Sequence, residues 1–333
     1  MTTRIIVFRR FDEVWPVSAD RLKELLDPID DVELIRVGDT PPAGNPSVDR
    51  LFWLGAEVSA AQLDQYPSLA TMFATTSYRN YEAIAPYLAA RDIHQLKQPS
   101  EGYWGQSVAE FALGLTIAGL RQLTLRARQT VDAPERAWKY NAEQLSDDTR
   151  FTSGTIAGKR VRIVGAGNIA SRYASFVSHL GADTVAWDPF APEPSFHRSG
   201  ARRELHLSKL AREAEIFVPM VPLLPSTEGL VTAELIQSLP TGTLVVLATR
   251  AGICDVEALR ERVLAGELSL AADVFDVEPL PVDDPLLSVE NVVATPHIAG
   301  RTLDSGYAWA LALAEQFLDF DHSSAQDPRR LWR

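Results

Sequence analysis

The stretch "RVRIVGAGNIASRY", residues 160–173, decides the fold. Val161, Ile163 and Val164 read as a short buried strand. Gly165-Ala166-Gly167 then breaks the ladder, and Asn168-Ile169-Ala170 opens a helical pattern. A glycine turn between a strand and a helix leaves free backbone N–H groups at the helix start, where a phosphate can be received. Gly165 permits the tight turn, and Gly167 lets a pyrophosphate come near. The third position of this GxGxxA pattern is Ala170, which is tolerated because the contact there is helix against strand. Alone, the pattern is weak. A second signal strengthens it: "TVAWDPF" ends the next strand at Asp188, 23 residues after Gly165. A carboxylate there can accept both ribose hydroxyls of NAD and would repel the 2′-phosphate of NADP. It reads equally as a turn residue before Pro189. The two signals together favour dinucleotide binding. Arg172 either reaches the pyrophosphate or is a solvated helix residue.

Strand–helix alternation continues on both sides. Downstream, "TVAW", "IFVPMV", "TLVVLA", "LSLAADV" and "NVVAT" are strands between helical stretches such as "DVEALRERVLAG". Upstream, "RIIVF" (4–8), "ELIRV" (33–37), "LFWL" (51–54) and "ATMFA" (70–74) alternate with helical patterns. Such alternation implies parallel sheets with helices packed on them, an α/β protein with two open sheets. The longest helical pattern, residues 105–130, carries small residues at Ala112, Gly114, Ala118 and Gly119. It is either a crossover helix with a subunit contact or an ordinary core helix. Residues 132–155 read as a polar arm or long loop. The helical stretch 302–320 is expected to pack back on the first domain, making that domain discontinuous.

Bulk properties narrow the function. The chain has 333 residues, 46% of them hydrophobic, enough for two cores. Its net charge of −12 disfavours nucleic acid and anionic membrane as partners. One cysteine, Cys254, excludes internal disulfides and CxxC zinc sites and fits a reducing compartment. The start "MTTRIIVFRRFDEVW" reads as a first strand rather than a signal peptide, and no apolar run is long enough to span a bilayer. A soluble, cytoplasmic protein is expected.

Three later strands end in polar side chains. "LVVLATRAGICD" delivers Arg250, "LAADVFDVEPL" delivers Asp273 and Glu278, and "NVVATPHIAGRT" delivers His297, 19 residues after Glu278. Ligands of open α/β sheets bind outside the carboxyl ends of the strands, so these groups can converge on one crevice. Read singly, they are a helix-capping arginine, a surface glutamate and a core histidine. Together with "SVAEFALGLTIAGLR", "GTIAGKRVRIVGAGNIA", "AWDP", "VPLLPSTEGLV", "AADVFDVEPL" and "TPHIAG", their order and spacing resemble the D-isomer-specific 2-hydroxyacid dehydrogenase family across most of the chain.

The resemblance implies two Rossmann-like domains. One is a flavodoxin-like substrate domain, residues 1–120 with 300–333. The other is an NAD-binding doubly wound parallel sheet, residues 121–299. Cofactor and substrate then lie in the cleft between them. The family's catalytic set falls on Arg250, Glu278 and His297. Reduction of a 2-keto acid builds charge on the carbonyl oxygen, which needs a proton. A histidine titrating near neutrality suits that role, Glu278 would hold the ring and favour its charged form, and Arg250 can fork onto the substrate carboxylate. No metal is needed. By resemblance, Asn168 and Ile169 lie at the pyrophosphate, Val221, Pro222 and Thr227 on the adenosine side, and Ala248, Thr249 and Arg250 near the nicotinamide. Asp273 holds the carboxamide or is a structural cap. A homodimer is expected.

Departures from the family pattern are specific. The usual Asn-x-x-Arg-Gly is Leu247-Ala248-Thr249-Arg250-Ala251 here. The substrate loop, "TTSYRNYEA" at 75–83, lacks the usual glycine; its carboxylate contacts are expected from Thr76, Ser77 and Tyr78. Arg79 either adds a second cation, favouring a dicarboxylate or phosphorylated acid, or faces solvent. Tyr103 and Trp104 point instead to a bulkier apolar substrate. An NAD(H)-sensing protein on the same fold, without turnover, is the alternative reading.

Overall fold

A computed structural model describes residues 2–76, 78–96, 103–138 and 148–320. The chain forms two compact units, Met1–Tyr103 with Arg301–Arg333, and Trp104–Gly300.

The first unit is built on five parallel strands, β1 (Thr2–Phe8), β2 (Asp31–Val37), β3 (Arg50–Leu54), β4 (Thr71–Thr75) and β5 (His94–Gln95), in the order β2-β1-β3-β4-β5. β1 and β3 are buried almost throughout, which is why they read as unbroken apolar runs rather than alternating ones. Side chains alternate across the sheet. Leu51, Trp53 and Met72 join Leu63, Ile84 and Leu88 on one face. Phe52 and Phe73 meet the C-terminal helix Leu303–Phe320 on the other, with ring centroids 5.8 Å (Phe52–Phe317) and 5.9 Å (Phe73–Trp309) apart. That helix lies beside Ser18–Leu26 closely enough that a Cβ on Gly306 would sit 2.8 Å from Ser18 Oγ.

The second unit holds seven parallel strands, β6 (Arg160–Val164), β7 (Asp183–Trp187), β8 (Arg202–Arg203), β9 (Ile216–Pro219), β10 (Leu244–Leu247), β11 (Ser269–Ala272) and β12 (Val292–Ala294). Their order is β12-β11-β10-β9-β6-β7-β8. The chain leaves β6 toward β7 and later returns to β9 on the other side, so the switch point lies between β6 and β9. The same alternation divides the core: Ile216, Val218, Leu244, Val246 and Ala271 face one layer of helices, and Phe217, Val245, Leu247, Leu270 and Ala272 face the other.

Two features differ from the sequence reading. The pattern at 105–130 is not one helix: Tyr103–Arg121 and Leu123–Asp132 meet at a 59° bend. The hinge is Gln122, held in a left-handed conformation with φ 50°. The first of these helices lies flat on the second sheet. Val108, Ala112 and Leu115 enter its core, and a Cβ on Gly119 would come within 2.7 Å of Leu244. The small residue serves helix-on-sheet contact, the core-helix reading. It also moves the division between the units to Tyr103/Trp104, earlier than the expected residue 120, because the helix buries its apolar face in the second core. Within the 132–155 stretch a short helix, Pro134–Ala137, is present, and 139–147 lie outside the described residues. Among the described residues no single helix is long and apolar enough to cross a membrane.

Candidate active site

The glycine turn follows β6 directly. Gly165 has φ 116°, and a Cβ there would lie 3.0 Å from the Met220 carbonyl oxygen. Only glycine is unstrained there. Gly167 is the N-cap of the helix Asn168–His179, and a Cβ on it would meet nothing within 4 Å. The backbone is therefore open at the positive end of a helix, where an anion is favoured. Ala170 is 1% exposed and packs into the core, which accounts for a small residue at the third position. Asn168 and Ile169 are half-buried in the first helical turn.

Asp188 stands at the end of β7 and serves the turn role. Its Oδ2 accepts the Ala166 N–H at 2.9 Å, and Oδ1 accepts the N–H groups of Phe190 and Ala191 at 2.9 and 3.0 Å. One carboxylate thus ties the loop after β7 to the glycine turn. On the far side of the switch point, Val221 lies beside Gly165, its Cγ1 3.2 Å from where a Cβ would be. Thr227 folds the next loop: its hydroxyl donates to the Pro222 carbonyl at 2.5 Å and accepts from the Leu224 N–H at 2.8 Å.

The loop after β10 begins with buried Ala248 and Thr249 and then turns Arg250 outward. Arg250 Nη1 donates to the Thr249 carbonyl at 2.7 Å. Ala251 starts a 3₁₀ turn and has no positive φ, so alanine in place of the family's glycine costs no backbone strain.

His297 and Glu278 meet. His297 Nδ1 lies 2.6 Å from Glu278 Oε2, and Glu278 Oε1 accepts the Phe275 N–H at 2.9 Å. A carboxylate only accepts, so the ring proton sits on Nδ1. Both side chains are about one-third exposed, at 35% and 34%. Burial pushes the Glu278 carboxyl up. The hydrogen bonds from His297 and the Phe275 N–H, with the charges of His297 and Arg250, outweigh it and hold the group below its ordinary range. His297 itself has φ 53°, left-handed and uncommon for a non-glycine residue.

Asp273, at the end of β11, is 0% exposed. Its Oδ1 accepts the Thr295 hydroxyl at 2.6 Å and the Ile298 N–H at 3.0 Å, and its Oδ2 accepts the Ala299 N–H at 2.7 Å. Both oxygens thus accept hydrogen bonds from the turn that carries His297. Nothing in the sequence beyond its place after a strand signals those partners. Ser107, another residue the sequence did not single out, donates to the Ala299 carbonyl at 2.6 Å.

Of the expected substrate contacts, Thr76 follows β4 in the first unit, its hydroxyl donating to Asn80 Oδ1. Asn80 in turn is bonded to both backbone groups of Val58, and the Gly55 N–H donates to Thr75 Oγ1 at 2.6 Å. None of the described residues in 75–83 has a positive φ, so that stretch needs no glycine for its backbone. Ser77 lies outside the described residues, as do the side chains of Tyr78 and Arg79. Tyr103 is buried, and Trp104 packs against the second core. Among the described residues no group of three or more His, Cys, Asp or Glu side chains is placed to hold a metal ion.

Residues 113–299 match the family described as D-isomer specific 2-hydroxyacid dehydrogenase, NAD binding domain. A hydroxypyruvate reductase of Thermotoga maritima is 34% identical over 214 residues, 63% of this chain and 65% of the reductase. A D-3-phosphoglycerate dehydrogenase of Methanocaldococcus jannaschii is 29% identical over 211 residues, 63% of this chain and 38% of its own length. The matched stretches thus span less than two thirds of these relatives. The NAD-complexed D-isomer specific 2-hydroxyacid dehydrogenase of Lactobacillus delbrueckii ssp. bulgaricus superposes with a TM-score of 0.74 at 18% identity, covering 98% of this chain and 99% of that one. At that identity the likeness speaks for the fold.

Proposed function

Because the chain belongs to the D-isomer specific 2-hydroxyacid dehydrogenase family, we propose that it interconverts a D-2-hydroxy acid and its 2-keto acid with NAD as cofactor and His297 as acid and base. The observation that carries this reading is the 2.6 Å pair of His297 and Glu278, with Arg250 near enough to depress the Glu278 carboxyl. The residues around the glycine turn fit the cofactor: Gly167 leaves open the space a Cβ would fill, and Asp188 ends the adjacent strand. Gly165, Gly167, Asn168 and Ile169 would hold its pyrophosphate, and Asp188, Val221, Pro222 and Thr227 its adenosine end. Ala248, Thr249 and Arg250 would border its nicotinamide end. When bound, NAD(H) supplies or accepts the hydride.

The protein's own groups manage charge and proton. Glu278 takes the Nδ1 side of the ring, which leaves Nε2 to exchange a proton with the substrate oxygen. Glu278 stays ionised at neutral pH and stabilises the imidazolium that donates in reduction; in oxidation the neutral ring accepts. Arg250 supplies a planar fork for the substrate carboxylate and polarises the keto oxygen, a geometry lysine lacks. Thr76, Ser77, Tyr78 and Arg79 are the candidates for the remaining substrate contacts.

The same reading makes the protein a cytoplasmic homodimer. The helix Leu123–Asp132 buries none of its residues, and Leu123, Val131 and Trp138 are exposed, an apolar surface suited to a second copy. The deciding assay follows NADH oxidation with glyoxylate, hydroxypyruvate, pyruvate, and branched-chain and aromatic 2-keto acids. Turnover abolished by His297→Ala supports the proposal. A protein that binds NADH yet oxidises none with any of these acids is a sensor, and the proposal falls.

A further inference from the structure

Glu278 sits in a loop that has little of its own to hold it. Residues 276–283 form no helix or strand, and none of them is buried. Val277 and Val282 are 55% and 97% exposed, so apolar packing does not fix the loop. Its charge works against order as well. Residues 273–284 carry five carboxylates, Asp273, Asp276, Glu278, Asp283 and Asp284, and no cation. Like charges this close repel one another. The bond from the Phe275 N–H ties Glu278 only to a residue three positions back. Both an anchor and a counter-charge must therefore come from another element.

We infer that Arg260 is a positioning residue of the acid–base pair: its guanidinium staples both ends of this loop to the helix Val256–Leu264 and so keeps Glu278 against His297. At the far end, Arg260 Nη2 donates to both oxygens of Asp284, at 2.9 and 2.7 Å. The Asp284 side chain is only 8% exposed, and its Oδ1 also accepts the Leu286 N–H at 2.9 Å. That anchor is continuous with Leu286, which is buried in the second core. At the near end, Nη1 lies 3.9 Å from Asp276 Oδ1, two residues before Glu278. The base of the staple is rigid, since Leu259 and Val263 of the same helix are 2% and 0% exposed. A charge-assisted contact shielded from water holds more firmly than a solvated pair. The arrangement also sorts the charges: with Arg260 occupied by Asp284 and Asp276, the imidazole and the charge of Arg250 are left to Glu278. The inference rests on the proposed acid–base role of His297 and goes beyond it to what places its partner.

The test is Arg260→Met, which keeps an apolar stem and removes the charge. Its first readout is the NMR titration of the His297 ring in the cofactor-free protein, taken as a double-mutant cycle with Glu278→Gln. The charged groups around that ring are Glu278, the Arg250 whose charge reaches Glu278, and Asp273 beneath the turn. The direct effect of the Arg260 charge cancels within each background, so the cycle reports how well Glu278 meets the ring. Glu278→Gln should shift the midpoint clearly in otherwise wild-type protein, and by less than about half as much in Arg260→Met. Turnover should follow, with kcat down roughly 10-fold, as for a misplaced reacting partner, and NADH affinity within about twofold of wild type. Arg260→Lys keeps the charge but not the two-armed reach. It should fall between, and it decides alone by the same two readouts if Arg260→Met does not fold. An undiminished Glu278→Gln shift overturns the inference, because the pair is then intact without the staple; an unchanged kcat does so as well. If the wild-type protein turns over no 2-keto acid, the proposed activity falls, and the histidine cycle still judges the staple.

Discussion

The two glycines of the turn make a sharp test because they stand two residues apart and fail differently. Gly165→Ala puts a methyl on a residue with φ 116°, 3.0 Å from the Met220 carbonyl oxygen and 3.2 Å from Val221 Cγ1. The backbone conformation costs about 1–3 kcal/mol for an L residue. Overpacking against the end of β9, which cannot swing away as a flexible side chain would, adds about 1–2 kcal/mol. The variant should lose roughly 2–5 kcal/mol, a fall in melting temperature of about 5–15 °C for a unit of this size. Gly167→Ala meets nothing within 4 Å and has φ −74°. It should cost under about 1 kcal/mol, the difference between glycine and alanine at an N-cap. Its penalty falls on the ligand. A methyl in the open space blocks close approach of the diphosphate, and losing one or two charge-assisted hydrogen bonds weakens NADH by about 10- to 100-fold. Thermal melts and NADH fluorescence titrations on both variants decide. A Gly165→Ala protein that melts with wild type refutes the strain argument. A Gly167→Ala protein that binds NADH like wild type shows that no phosphate approaches that turn.

Other outcomes follow from single groups. Glu278 ionises below its ordinary value of 4.5 in the folded protein, so it stabilises the fold above that value and the contribution disappears as pH falls through the depressed one. Acid titration of stability should therefore show a limb just below pH 4.5 that is missing in Glu278→Gln, and an identical acid profile would argue that the pair is not formed. Arg250→Lys keeps the charge but not the fork, and should lose about 100-fold in kcat/KM for 2-keto acids; full activity would remove Arg250 from the site. Burial and the neighbouring Asp255 push the Cys254 thiol up to about 12, so a disulfide reagent should label it only in denaturant, and rapid labelling of the native protein would contradict its burial.

The parts of the fold that were legible in the sequence are those fixed by unbroken apolar runs. Strands β1, β3, β6 and β10 are buried on both faces, so their residues are apolar whichever way they point. β5 and β8 are two residues long, too short for any period to register, and went unseen. The bend at Gln122 was invisible for a different reason. The apolar pattern runs across it without a glycine or proline, and the break comes from a left-handed glutamine, a choice made by packing rather than by local preference. The early end of the first domain has the same origin: the amphipathic pattern of Tyr103–Arg121 reveals that one face is buried but not on which sheet.

At the site, residue types were legible and their assignments were not. A carboxylate after a parallel strand can face the crevice or turn back into the chain, and the sequence leaves both open. Asp188 and Asp273 occupy equivalent ends of β7 and β11, and each accepts three hydrogen bonds from its own surroundings. They diverge in burial: Asp188 is half-buried, whereas Asp273 has no exposed surface. What separates the two is the depth of the loop that follows the strand. That depth is set by the left-handed turn at His297, which folds Ile298 and Ala299 back over Asp273. Histidine, with asparagine and aspartate, enters the left-handed region more often than other non-glycine residues, and at φ 53° His297 does so here. At that turn the Thr295 hydroxyl and the Ile298 and Ala299 N–H groups all donate to the buried carboxylate.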